Sequence, residues 1–183
     1  MRSDVVALYV DRLGPYPKLV EDWYSEDRPA ERYWGPLPIV AHPPCGPWGR
    51  MKFLCTKQDP SCALHALEVV RRVGGVLEHP QHSTLWRHSS MPVPGAPKDK
   101  WGGYTVEVNQ CDFGHRCKKA TWIYIVRCTK KPLFPTHREF THRITNGSRG
   151  DTTLPRVGSL EARLTPVPFA KWLINLAASV SKA

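Results

Sequence analysis

A cysteine behind two prolines is the residue of this 183-residue chain best placed for nucleophilic chemistry. Ile39-Val40-Ala41 is a β-branched, apolar run that stops at His42-Pro43-Pro44-Cys45-Gly46-Pro47-Trp48-Gly49-Arg50. The prolines fix the backbone in front of Cys45, and the glycines behind it let the chain turn back and expose the sulfur. A thiolate so placed is a strong and reversible nucleophile. Glu78, in Val76-Leu77-Glu78-His79-Pro80, follows a second apolar pair, where an unpaired carboxylate is costly. A third loop, Gln110 to Thr121, gathers Gln110, His115, Arg116, Lys118 and Lys119. His42 and His79 flank the thiol and the carboxylate, so a Cys–His pair is a second way to activate the sulfur. The plainer alternatives are a packed cysteine at a strand end, and a Glu78 that only hydrogen-bonds or caps a helix starting near Gln81.

Bringing Cys45 and Glu78 together is a matter of topology. Val5–Val10 reads as a buried strand, followed by a turn over Asp11–Pro17, a short helix over Lys18–Tyr24 and a helical turn within Asp27–Tyr33. Ile39–Ala41 is the second strand, its start limited by Pro38. Ala63, Ala66, Leu67, Val70 and Val73 fall on one face at helical spacing, which predicts a helix over 61–73 ended by Gly74-Gly75. Val76-Leu77 is then a very short strand. Strand, loop, helix and strand in this order predict a βαβ unit, whose parallel strands deliver Cys45 and Glu78 to the same sheet edge. A proline-rich loop over 87–103 reads as a lid or binding loop. Strands over Tyr104–Val108 and Thr121–Val126, an irregular basic segment over 129–158 and an amphipathic helix after Thr165-Pro166 complete the chain. The expectation is a single α/β domain over 1–183 with a mainly parallel sheet.

Composition narrows the partners. The chain is 41% hydrophobic, enough for a real core, and no apolar run approaches membrane-spanning length. The N-terminal apolar run is too short for a signal-peptide core, so the expectation is a cytoplasmic protein without a membrane partner. Six scattered cysteines suggest reduced thiols. Cys55, Cys62 and His65 form one trio of potential metal donors, and Cys111, His115 and Cys117 another. Neither keeps the spacing of known zinc motifs, and no metal is expected. The net charge of +10 is uneven: residues 1–40 carry five Lys/Arg against seven Asp/Glu, residues 110–149 nine against two. Such clustering points to nucleic acid or a nucleotide phosphate.

Three motifs in order resemble the DNA cytosine-5 methyltransferases. Pro43-Pro44-Cys45, followed by an aromatic and a small residue, looks like that family's catalytic loop. Leu77-Glu78-His79-Pro80 is similar to its Glu-Asn loop, with His79 in place of Asn. Gln110–Thr121, before a Trp-containing strand, resembles its later basic motif. The resemblance covers residues 39–126. It implies a Rossmann-like, methyltransferase-type domain that modifies a pyrimidine base in nucleic acid or a nucleotide. Cys45 would add to C6 of the ring, Glu78 would share a proton with N3, and Arg116 would stabilise the adduct or hold a phosphate. His42, Trp48, Arg50, His79, Gln110, His115, Lys118 and Lys119 would line the substrate site, with Trp48 stacking on the base. The implied cofactor is S-adenosylmethionine, and Asp11 and Gly14 stand in the loop after the first strand where it would bind. That loop has one glycine where the family has a Gly-x-Gly turn, and the chain leaves no room for a separate target-recognition domain, so another donor stays open. So do a cysteine-dependent nucleobase hydrolase or deaminase, and a non-catalytic nucleic-acid-binding protein on the same fold.

Overall fold

The computed structural model describes residues 3–49, 52–55, 59–144 and 153–181. Its centre is one six-stranded sheet: β1 (Ser3–Leu8), β2 (Val20–Trp23), β3 (Ile39–Ala41), β4 (Gly75–Pro80), β5 (Tyr104–Asn109) and β6 (Ala120–Val126), in the spatial order β2-β1-β3-β4-β6-β5. β2, β1, β3 and β4 run parallel, and for β3 and β4 this is what the βαβ reading expects. β6 is inserted antiparallel between β4 and β5, so the sheet is mixed.

The period-2 alternation of the strands divides the core between the two faces. Val6, Leu8, Ile39, Ala41, Leu77, Tyr124 and Val126 pack on one face with helix α2 (Ser61–Val73). Val5, Ala7, Val40, Val76, Ile123 and Ile125 pack on the other with the C-terminal helix α5 (Val167–Ala177). α2 occupies the span its periodicity predicts. Asp59 accepts from the Ser61 amide at 2.8 Å at its start, and Gly74 ends it at φ +87°. Gly75 is required by its neighbour strand: a Cβ there would lie 2.1 Å from the Ile39 carbonyl oxygen.

Several elements differ from expectation. The helix expected over Lys18–Tyr24 is a four-residue helix α1 (Tyr16–Leu19) followed by the edge strand β2. β1 ends at Leu8 rather than Val10, because Tyr9 turns to φ +59°, which no strand accommodates. The helix placed near Gln81 is the single turn α3 (Leu85–His88), and a short helix α4 (Ser159–Arg163) falls just after the irregular basic segment. The proline-rich loop is pinned by Asp99, which accepts from the Trp101 and Gly103 amides and, at 2.5 Å, from the Tyr124 hydroxyl.

The chain passes from β1 outward to β2, then returns to the other side of β1 as β3. In open parallel sheets, the crevice at the carboxyl ends of strands flanking such a reversal is the usual ligand position. Among the described residues no helix is long and apolar enough to cross a membrane.

Candidate active site

The carboxyl ends of β3 and β4 carry the candidate residues. β3 pairs in parallel register with β4, Ala41 opposite Leu77, so His42 and Glu78 leave the sheet side by side. Nδ1 of His42 lies 3.1 Å from Oε2 of Glu78, and both side chains are nearly buried. Nε2 of the same ring lies 2.5 Å from the hydroxyl of Tyr16, which is wholly buried on α1. A carboxylate accepts only, so Nδ1 carries a proton and donates to Glu78, and Nε2 shares the second bond with the Tyr16 hydroxyl. Burial, then the Glu78 charge, push the Tyr16 phenol well above its ordinary value and keep it a donor. On the other side, Nε2 of Gln110 donates to Oε1 of Glu78 at 3.3 Å and to the Thr121 hydroxyl oxygen at 3.2 Å. The result is a continuous chain, Tyr16–His42–Glu78–Gln110–Thr121, contributed by α1, β3, β4 and the two ends of the β5–β6 connection.

Burial alone would raise the Glu78 carboxyl. The hydrogen bond and electrostatic pull of His42, with Lys119 behind them, outweigh it and hold the carboxyl below the usual carboxylate range. Glu78 is therefore an anion at neutral pH. Cys45 sits in the turn that follows β3, at the head of a 3₁₀ turn over Gly46–Trp48. The residue as a whole is exposed. Its sulfur is still crowded enough that burial is the largest influence on the thiol, raising it, and the Glu78 charge raises it further. Lys119 opposes both. Burial in turn lowers the Lys119 ammonium, while Glu78 and then Cys45 support its charge. Thiol, carboxylate and ammonium thus influence one another's charge, while the ammonium itself donates to the Arg163 carbonyl at 3.5 Å. Lys119 is held in place by its backbone: at φ +43°, its carbonyl accepts from the Gln110 amide at 3.3 Å and from the Thr121 hydroxyl at 3.0 Å.

Other expected site residues are placed differently. Trp48, expected to stack on the base, is 8% exposed and packs in the core at the end of the 3₁₀ turn, 5.0 Å from the His88 ring. His79 alternates to the face opposite Glu78 and is wholly buried beside Trp86, so it does not reach the thiol as a partner. Burial drives its ring down to about 4, only weakly opposed by Glu78 and by the Pro44 carbonyl. Arg116 is exposed and bound elsewhere: it pairs with Glu161 of α4 and contacts His142, rather than the Glu78 cluster. His115 is structural, accepting from the Cys117 amide and bonding the Glu161 carbonyl. Lys118 is exposed on the same loop. Arg50 lies outside the described residues.

The two cysteine–histidine trios are dispersed into local bonds. Cys62 donates to Glu31, and His65 bonds the Tyr9 hydroxyl and the Tyr33 carbonyl. Cys111 and Cys117 are buried. Among the described residues no three potential ligands converge on a metal position.

The loop after β1 tests the expected nucleoside cofactor. Asp11 closes it on itself, accepting from the Leu13 amide through its side chain and from the Gly14 amide through its carbonyl, both at 2.9 Å. A Cβ on Gly14 would stand 3.0 Å from that carbonyl, so this glycine serves its own turn. Asp11 is also paired with Arg163 at 3.3 Å. The helix that follows has four residues, too few to direct a row of amides at a ligand. These residues form no cradle for S-adenosylmethionine.

Tyr16 and Thr121 are the members of the network that sequence reasoning did not assign. The only local signal for Tyr16 is its place between Pro15 and Pro17. No family model matches this chain, and no curated protein matches it.

Proposed function

We propose that this protein modifies a pyrimidine base, in nucleic acid or a nucleotide, through covalent addition of Cys45. The frame would be a Rossmann-like, methyltransferase-type domain. The order β2-β1-β3-β4, with its reversal beside β1, supports that frame. So do the three loops resembling the cytosine-5 methyltransferases. One observation carries the chemistry: a nearly buried carboxylate, held by His42 and Gln110, stands at the carboxyl end of the strand beside the one that an exposed cysteine follows.

In the proposed step the thiol proton passes by way of Glu78 to N3 of the ring. Sulfur bonds to C6, and the C5–C6 π pair makes C5 nucleophilic. Solvent protonates C5, the original C5 hydrogen leaves as a proton, and the sulfur is expelled as the N3 proton returns to it by way of Glu78. Protons and electrons balance with water alone. An electrophilic methyl group, which S-adenosylmethionine supplies when bound, would be attacked by the same carbon. The Asp11–Gly14 turn supports no such step here.

The Cys–His alternative has less support. Both ring nitrogens of His42 are engaged, and His79 is buried on the opposite face, so neither imidazole is free to take the thiol proton.

The test needs no donor. Single-stranded DNA containing cytidine is incubated with the protein in deuterated water, and C5 hydrogen exchange is followed by NMR. Exchange is expected with the wild type and not with Cys45→Ser. DNA containing 5-fluorocytosine should trap a Cys45 adduct. Salt-sensitive binding without exchange or adduct would overturn catalysis in favour of a binding protein.

A further inference from the structure

We infer that a cavity beside α3 holds an unstacked nucleobase adjacent to the reacting one, with its phosphate on Arg87. The inference rests on the nucleic-acid reading above. The cavity measures about 590 Å³, within the usual range of small-molecule sites. Its walls are Trp86, Met91, Val93 and Trp122, and its rim carries Gln81 and Arg87.

Both indoles are fixed through their N–H groups. Trp122 Nε1 donates to Oε2 of Glu107 at 3.0 Å, and Gln81 Nε2 donates to the same oxygen at 3.0 Å. Trp86 Nε1 donates to the Pro80 carbonyl at 2.9 Å. The two rings stand 5.4 Å apart, tilted by 58°. Trp86 is buried and backs the wall; with its own donor spent, the half-buried Trp122 is the ring that offers a ligand π surface. That surface suits a flat ring of any sequence and needs little reorganisation to receive it. The carboxylate that fixes the wall is itself engaged by two donors. Arg87 is exposed and makes no ion pair among the described residues, so its charge is available to a phosphate.

The cavity adjoins the end of the strand that carries Glu78. Gln81 follows Pro80, the last residue of the strand that carries Glu78. The amide and hydroxyl of Thr84, just before α3, both donate to the Trp48 carbonyl and tie α3 to the Cys45 turn. Trp122 pairs opposite His79 across β4 and β6, on the sheet face opposite Glu78. A strand crossing this edge would leave one base on the Glu78 side and lay its neighbour against Trp122. An aromatic wall with a cationic rim matches a nucleotide better than an apolar peptide, for which Arg87 has no use.

The probe is a set of single-stranded oligodeoxynucleotides with one central cytidine and an abasic residue at each neighbouring position in turn. Binding is read by tryptophan fluorescence. One abasic position should weaken wild-type binding about tenfold. Trp122→Phe should weaken the intact oligonucleotide and lose much of that sensitivity. Arg87→Ala, an exposed change that spares the core, should weaken binding and lower the salt slope by about one. If C5 exchange persists while abasic neighbours have no effect, or both variants bind like the wild type, the pocket is wrong and the catalytic reading stands. If the wild type neither binds the oligonucleotides nor exchanges C5 hydrogen, the nucleic-acid reading falls and this inference with it.

Discussion

Nδ1 of His42 and Oε2 of Glu78 are 3.1 Å apart, although 36 residues separate them in the chain. The parallel register of β3 and β4 creates this contact, and burial makes it matter. The contact keeps Glu78 ionised and aimed, the state needed to receive a proton and pass it on. Glu78→Gln keeps the shape and removes that capacity. Exchange at C5 should fall about 100-fold or more, as for other lost acid–base groups. Stability in urea should fall by roughly 1–3 kcal/mol, since His42 loses a charged acceptor.

Cys45 should be a slow thiol at neutral pH. Burial and Glu78 raise it above an ordinary cysteine, and Lys119 pulls it back. Alkylation by iodoacetamide should therefore accelerate with pH above the usual thiol range. Lys119→Met should move that profile higher still. Mass spectrometry of the Cys45 peptide distinguishes it from the other five cysteines. A profile unchanged by Lys119→Met would mean that the ammonium does not act on this sulfur.

Tyr16→Phe tests the far end of the network. The variant leaves Nε2 of His42 without its hydrogen-bond partner in a nearly buried position. A loss of about 1–3 kcal/mol in urea unfolding is expected, the usual effect of orphaning a buried polar group. Tyr16 does not contact the proposed substrate, so C5 exchange should fall less than in Glu78→Gln. The apparent affinity for oligonucleotide should not move.

What the sequence reveals, and what it conceals, follows from range. α2 is legible because five apolar residues repeat at helical spacing between Asp59-Pro60 and Gly74. That Cys45 and Glu78 follow the same ends of neighbouring parallel strands is legible because a βαβ unit leaves its strands only one common edge. β2 is hidden: Val20-Glu21-Asp22-Trp23 has the charge of an edge strand and little strand propensity. The insertion of β6 between β4 and β5 leaves no local trace, since alternation sets which face a residue takes and not which strand it pairs with. Trp48 and Arg116 illustrate the same limit at the site. A tryptophan after Gly-Pro reads equally well as exposed or buried, and the partner that removes Arg116 from the cluster, Glu161, is 45 residues away. Tyr16 reaches His42 across 26 residues, with a turn and an unrecognised strand between them.

His79 makes a prediction about acid. Its ring is wholly buried and titrates near 4, against about 6.5 in an unfolded chain. Neither ring nitrogen makes a well-formed hydrogen bond. The unfolded state therefore binds more protons between these two values, and stability must fall as pH falls through that window. From pH 7 to pH 5 this group alone should remove about 2 kcal/mol. Glu78 adds a separate loss lower down: its folded value is depressed, so its contribution is present above the ordinary carboxylate range and disappears as pH drops through its own folded value. The two are separable by mutation. His79→Leu replaces an unpartnered polar ring with an apolar side chain among Leu77, Trp86 and Trp122, and should be neutral or mildly stabilising at pH 7. In urea titrations at pH 7, 6 and 5, the variant should lose clearly less stability than the wild type, while Glu78→Gln should retain the His79-dependent fall. Equal slopes for wild type and His79→Leu across this range would show that the ring does not stay neutral in the folded protein.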